Sequence, residues 1–165
     1  MRACLSGANC ADPGARRLAA IVALNLGRGP LDQIREVNSA INRAPYRQDR
    51  EQFGRDDYWE SPLTFARSGG DCEDYAIAKY FVLRLLGFTD ANLRIVVLTR
   101  QGGNEVHALL LVRTGQAWLA LDNRQDNPGQ IGDLGNWIPQ YAVNESGGFR
   151  YLSGAGKALQ APAQR

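Results

Sequence analysis

The sequence predicts an α+β fold, with helices in its first half and an antiparallel sheet in its second. Two observations predict it. Up to Gly87, apolar residues recur at helical spacing between cap-like breaks. From Leu93 onward, short β-branched and leucine-rich runs are separated by Gly- and Asn-bearing turns. Helices followed by strands, with no repeat, is the order of an α+β layout rather than of alternating units. At 165 residues, one domain is expected. It is taken to cover residues 1–152, with 153–165 a loose Gly-, Ala- and Gln-bearing tail.

The elements follow in order. GARRLAAIVALNL, residues 14–26, places Leu18, Ile21, Val22, Leu24 and Leu26 as its apolar positions. Asp12-Pro13 precedes it and Gly27 closes it. A second helix over Pro30 to Asn42 puts Leu31, Ile34, Val37 and Ile41 on one face, and Pro45 bars its continuation. Residues 46–62 are polar and aromatic, a loop with short helical turns. Trp59 within it is read as core, with the lip of a cleft as the alternative. Ser61-Pro62 starts a short helix, since Ser caps and Pro suits the first helical position. Gly69-Gly70 ends it. A strongly apolar helix then runs from Cys72 to Gly87. Strands are expected over Leu93–Thr99, Glu105–Arg113 and Gln116–Asp122, with shorter ones at Trp137–Pro139 and Phe149–Leu152. Residues 123–136 are a loop.

Composition narrows function by exclusion. The chain is 44% hydrophobic and 22% charged, with net charge +2. That balance gives no reason to expect nucleic acid or an anionic membrane as partner. The longest apolar block, Tyr75 to Leu86, is interrupted by Lys79 and Arg84, so no membrane span is expected. Met1-Arg2-Ala3-Cys4 lacks the apolar stretch of a secretory leader. Either the protein is cytosolic or the chain is given without its leader. Cys4 and Cys10 could close a disulfide in an oxidising compartment, or stand as two free thiols.

Cys72 carries the chemistry. It opens a helix, where unpaired N–H groups and the helix dipole favour a thiolate, the nucleophilic form. The chain has a single histidine, His107, so cysteine–histidine chemistry has one possible partner. If the second and third strands form a hairpin about Thr114-Gly115, Arg113 faces Gln116. Counting outward then puts His107 opposite Asp122. Opposed side chains share a sheet face, with Cβ atoms about 4.5–5.5 Å apart. A carboxylate beside an imidazole fixes its tautomer and leaves the other nitrogen for a nucleophile. With the cysteine helix packed on this sheet, Cys72, His107 and Asp122 form a triad. Each residue also has a plain structural reading: inert filling, a buried imidazole, a turn carboxylate.

The segment GDCEDYAIAKYFVLRLLGF, with VNSAINR, YRQD and DDYW before it and LRIVVL, HALLLV and LDN after it, resembles the bacterial transglutaminase-like cysteine proteinases. The LapG-type periplasmic proteases are the best-known members. The resemblance runs from about Val37 to Asn123. It implies a papain/transglutaminase-like core, with the cysteine helix packed on an antiparallel sheet. It implies Cys72 as nucleophile, His107 as base and Asp122 as orienter. It also implies a periplasmic protease that cuts a surface adhesin to release cells from a biofilm, held by an inner-membrane cyclic-di-GMP receptor.

Asp71, Glu73 and Asp74 crowd Cys72 and oppose its ionisation. Acidic residues suit the first turn of any helix, which is the simplest account of Glu73 and Asp74. Bound Ca²⁺, a hard ion with oxygen ligands, is the alternative, and it would neutralise the collar. The resemblance implies calcium held by Asp71 and Glu73, with Asp74 as a further ligand; Asp56 and Asp57 are other candidate oxygen donors, with no motif behind them. The resulting expectation is a calcium-assisted thiol endopeptidase. Acyl transfer to an amine by the same triad, or a binding module without chemistry, are the rivals.

Overall fold

The computed structural model describes Cys4 and residues 10–150; the expected tail over 153–165 lies outside the described residues. Between residues 10 and 150, five α-helices precede the sheet: α1 Pro13–Asn25, α2 Pro30–Asn42, α3 Asp49–Phe53, α4 Pro62–Ser68 and α5 Cys72–Leu85. The strands are β1 Leu93–Arg100, β2 Val106–Thr114, β3 Ala117–Leu121, β4 Gly129–Gln130, β5 Trp137–Asn144 and β6 Gly147–Arg150. Short 3-10 turns occupy Asp90–Asn92 and Ile131–Leu134. None of the described helices is long and apolar enough to cross a membrane. Cys4 and Cys10 are joined as a disulfide, with Cα atoms 4.9 Å apart.

Helix starts follow their caps. Asp12 accepts the Ala15 N–H at 2.8 Å ahead of Pro13. Ser61 Oγ accepts the Thr64 N–H at 3.1 Å ahead of Pro62. The buried stripe of α1 is narrower than its apolar content. Leu18, Ile21 and Val22 are buried, whereas Leu24 is 71% and Leu26 66% exposed. Leu31 of α2 is also exposed, while Ile34, Val37 and Ile41 face the core.

The sheet runs β4-β3-β2-β1-β5-β6, every neighbouring pair antiparallel. Helix α5 packs against β2 and β1. Tyr75, Ala78, Val82 and Leu83 of the helix meet Leu93, Ile95, Leu110, Val112 and Leu121 in one core. The sheet's other face carries a smaller cluster of Val96, Leu98, Leu109, Leu111, Ala120 and Ala142, edged by Trp118 and Trp137. Two covered faces explain why β1 and β2 read as continuous apolar runs rather than alternating ones. Strand β5 passes beyond Pro139 with a bulge at Gln140, where pairing steps from Leu98–Pro139 to Val97–Tyr141 next to a residue that has no N–H to give.

The hairpin register differs from the one expected. Thr114 faces Ala117, so the turn is Gly115-Gln116, not Thr114-Gly115. Gly115 has φ +62°, the conformation that a tight hairpin turn asks of its first central residue and that β-branched Thr114 resists. Pairing therefore slides by two residues. Leu121 faces Leu110, and Asp122 lies just past the strand's end rather than directly opposite His107.

Candidate active site

The cysteine helix is fixed at its start by backbone proximity and a buried carboxylate. Gly69 has φ +81°, and a Cβ there would meet the Pro45 carbonyl oxygen at 2.0 Å. A Cβ on Gly70 would lie 2.3 Å from Asp74 Oδ2. Gly69 is required because the chain at Pro45 crosses here, and Gly70 because Asp74 folds back over it; the Arg47 N–H on the Gly70 carbonyl at 2.9 Å holds the crossing. Asp74, fully buried, accepts the Asp71 N–H at 3.1 Å and the Glu60 N–H at 2.7 Å. It thereby satisfies a donor at the helix start and pins the preceding loop.

Cys72 is the first residue of α5, and it is the one free cysteine of the chain, Cys4 and Cys10 being paired. Its thiol donates to Glu73 Oε2 at 3.2 Å. Burial pushes the thiol up to about 12, and the charge of Glu73 adds to it; the Ala108 N–H pulls the other way. With the collar as it stands, desolvation and carboxylates outweigh the helix dipole. Contact with the Ala108 N–H also sets Cys72 beside the strand residue that follows His107.

His107 is buried at the start of β2, its ring 5.4 Å from the Trp137 ring. Its Nε2 lies 3.0 Å from Asp122 Oδ1. The two meet despite the shifted register because the shift is even. A slide of two residues keeps side chains on the same sheet face and turns direct neighbours into diagonal ones, still within reach. Asp122 Oδ1 also accepts the Arg124 N–H at 2.9 Å. Burial alone would raise this carboxyl; the His107 hydrogen bond and charge, with Arg124, outweigh it and hold it below its ordinary value. Bonding at Nε2 leaves Nδ1 as the free nitrogen of the ring.

Around Cys72 lies a larger acidic group than Asp71, Glu73 and Asp74. Carboxylate oxygens of Asp49, Asp71 and Asp74 fall within 4.8 Å of one another, as do those of Asp49, Asp57 and Glu73. Burial raises Glu60 to about 7 and Asp74 to about 6, and it raises Asp71 and Glu73 as well. Asp49 Oδ1, Glu60 Oε2 and Asp71 Oδ1 are buried without a hydrogen-bond partner. An all-oxygen donor set with orphaned buried oxygens fits a hard divalent cation. A cavity of about 290 Å³ adjoins it, lined by Asp56, Asp57, Asp71 and Glu73 together with Trp59, Val106 and Tyr141. Trp59 is 37% exposed on this rim, so it is a lip residue and not core. Asp49 and Glu60 escaped sequence reasoning. They sit in a polar segment with no periodicity, where only the loop's return to α5 buries them.

A cysteine opening a helix that packs on an antiparallel sheet, beside a strand whose histidine bonds an aspartate just past the neighbouring strand, is the arrangement of the papain/transglutaminase class of thiol enzymes. Over residues 8–131 the chain matches the model of the bacterial transglutaminase-like cysteine proteinases, and it belongs to that family. It is a cysteine protease. Solved structures of Legionella pneumophila LapG are similar. The calcium-bound form aligns with TM-score 0.74 and 26% identity over 90% of this chain and 84% of that one. The EGTA-treated form gives the same score and identity over 90% and 82%. A third LapG structure aligns with TM-score 0.73 and 27% identity over 88% and 83%. Comparison with curated proteins returned no match.

Proposed function

We propose that the protein is a calcium-assisted thiol endopeptidase in which Cys72 is the nucleophile, His107 the base and Asp122 its orienter. The observation that carries this reading is the His107–Asp122 hydrogen bond at 3.0 Å beside the chain's one free thiol. Cys72 lies against the Ala108 N–H, one residue along β2 from His107. His107 takes the thiol proton, and sulfur bonds to the peptide carbonyl carbon. The C–N bond then breaks as His107 returns the proton to the leaving amine. Water, deprotonated by the same imidazole, cleaves the thioester and restores the thiol. Asp122 keeps Nε2 protonated throughout.

Asp49, Asp57, Asp71, Glu73 and Asp74 are the residues that would hold calcium. Bound there, the ion would supply the positive charge that offsets the carboxylates and lets Cys72 ionise. LapG has been solved in calcium-bound and EGTA-treated forms, which supports the same ion here. We place the enzyme in the periplasm, acting on a surface adhesin of a biofilm and held by an inner-membrane receptor for cyclic-di-GMP. The Cys4–Cys10 disulfide supports an oxidising compartment.

The test is cleavage of adhesin N-terminal segments with Ca²⁺ and with EGTA. Free peptide ends should appear with calcium, vanish in chelator and be absent from Cys72→Ala. Cleavage by Cys72→Ala would overturn the nucleophile, and undiminished cleavage in EGTA would remove the ion. Isopeptide cross-links in place of free ends would turn the assignment to acyl transfer.

A further inference from the structure

Lys79 lies about two turns beyond the active-site end of α5, fully buried among apolar neighbours. A charge in that position is costly unless it is paired or hydrogen-bonded. Its Nζ donates to the Leu121 carbonyl at 3.3 Å, directly before Asp122, and stands 5.9 Å from the Tyr75 ring centre. Two asparagines of α2 reach the same segment. Asn42 Nδ2 donates to the carbonyls of Asp122 at 3.1 Å and Gln125 at 3.0 Å. Asn38 Nδ2 donates to those of Gln125 at 2.7 Å and Asp126 at 2.8 Å.

These bonds stand where the sheet stops helping. The β2–β3 ladder ends at Leu121, so no strand partner holds Asp122. Its carboxylate must nevertheless stay on His107. We propose that Lys79 and Asn42, with Asn38, are positioning residues that clamp the carbonyls of residues 121–126 and so hold Asp122 against His107. The clamp couples α5, which begins at the nucleophile, and α2 to the loop that carries the third member of the triad. It rests on the reading of Asp122 as the orienter of His107. A displacement of about 1 Å in such a group costs up to a hundredfold in rate.

The chain offers two single-site probes. His107 is its one histidine, so imidazole resonances report on the pair alone. Cys72 is its one free thiol, so iodoacetamide reports on the nucleophile alone. In the calcium-loaded protein, Lys79→Met should lose or shift the low-field Nε2–H signal of His107, and alkylation of Cys72 near neutral pH should slow by about tenfold or more. Asn42→Ser, at a half-buried site, should do the same to a smaller extent and serves if Lys79→Met does not fold. Both variants keeping the signal and the wild-type rate would overturn the clamp. Asp122→Asn separates the two ideas. If it alkylates at the wild-type rate while Lys79→Met still shifts the imidazole signal, the orienter reading falls and the clamp stands.

Discussion

Cys72 and Lys79 share a helix, and each is held away from its ordinary charge state by burial. The thiol is pushed up to about 12 and the amine down to about 7, with Asp122 and Asp126 pulling the amine back up. For Lys79 the consequence is a stability slope. Between about 7 and the ordinary 10.5, the unfolded chain binds the proton and the folded chain does not. Stability contributed by this group therefore rises with pH across that window and is flat below it. Urea melts at pH 7, 8 and 9 should show wild type gaining on Lys79→Met by at most about 1.4 kcal/mol per pH unit. A constant difference would mean the amine is not depressed. The apolar run around Lys79 marks a buried helix but not a buried amine, because a lysine ordinarily carries its charge out to water along its stem. His107 and Asp122 were legible for a sturdier reason. Sheet faces alternate with period two, so a register wrong by two residues still leaves the pair on one face.

Helix α5 shows what pattern reveals about an element and what it hides. Its start, length and packing on the sheet followed from GGDCEDY and the apolar run behind it. The reason for Gly69 did not, because the crossing chain at Pro45 is distant in sequence. Exposed Leu24 and Leu26 carry the same lesson: apolar content sets a helix's existence, and only tertiary packing sets the width of its buried stripe. The Gly70 position yields a prediction at this scale. A Cβ there displaces the Asp74 carboxylate and with it the Glu60 and Asp71 N–H bonds. Gly70→Ala should lose about 2–3 kcal/mol in a urea melt. Gly132→Ala, whose Cβ meets nothing within 4 Å, should change stability by less than about 0.5 kcal/mol. Equal losses in the two variants would refute the close-approach account of Gly70.

Over the whole molecule, chemistry and anchoring occupy opposite ends of α5. Tyr80 lies eight residues past Cys72, about 12 Å along the axis. Its hydroxyl donates to Asp90, just before β1, and Asp90 also takes the Ser146 hydroxyl from the β5–β6 turn. The N–H groups of Glu145, at 2.9 Å, and Ser146, at 3.2 Å, complete the node, and Arg84 pairs with Glu145 at 2.9 Å. Helix, first strand and last hairpin thus meet at one carboxylate. Such a node is invisible in the sequence, where Tyr80, Asp90 and Ser146 share no motif or spacing. Burial alone would raise Asp90, but these donors outweigh it and hold its carboxyl below the ordinary value. A depressed carboxyl stabilises above its unfolded value near pH 4 and loses that contribution as pH falls through the folded one. Asp90→Ala should therefore cost about 1 kcal/mol at neutral pH, chiefly by leaving the buried Tyr80 hydroxyl without its acceptor, since the Glu145 and Ser146 donors are exposed to water. The gap to wild type should close as urea melts are taken to acid. Alkylation of Cys72 by iodoacetamide should stay within about twofold of wild type, since sites this far apart without shared partners act independently. A variant that lost reactivity along with stability would show that the far end of the helix sets the position of the thiol as well as the strength of the fold.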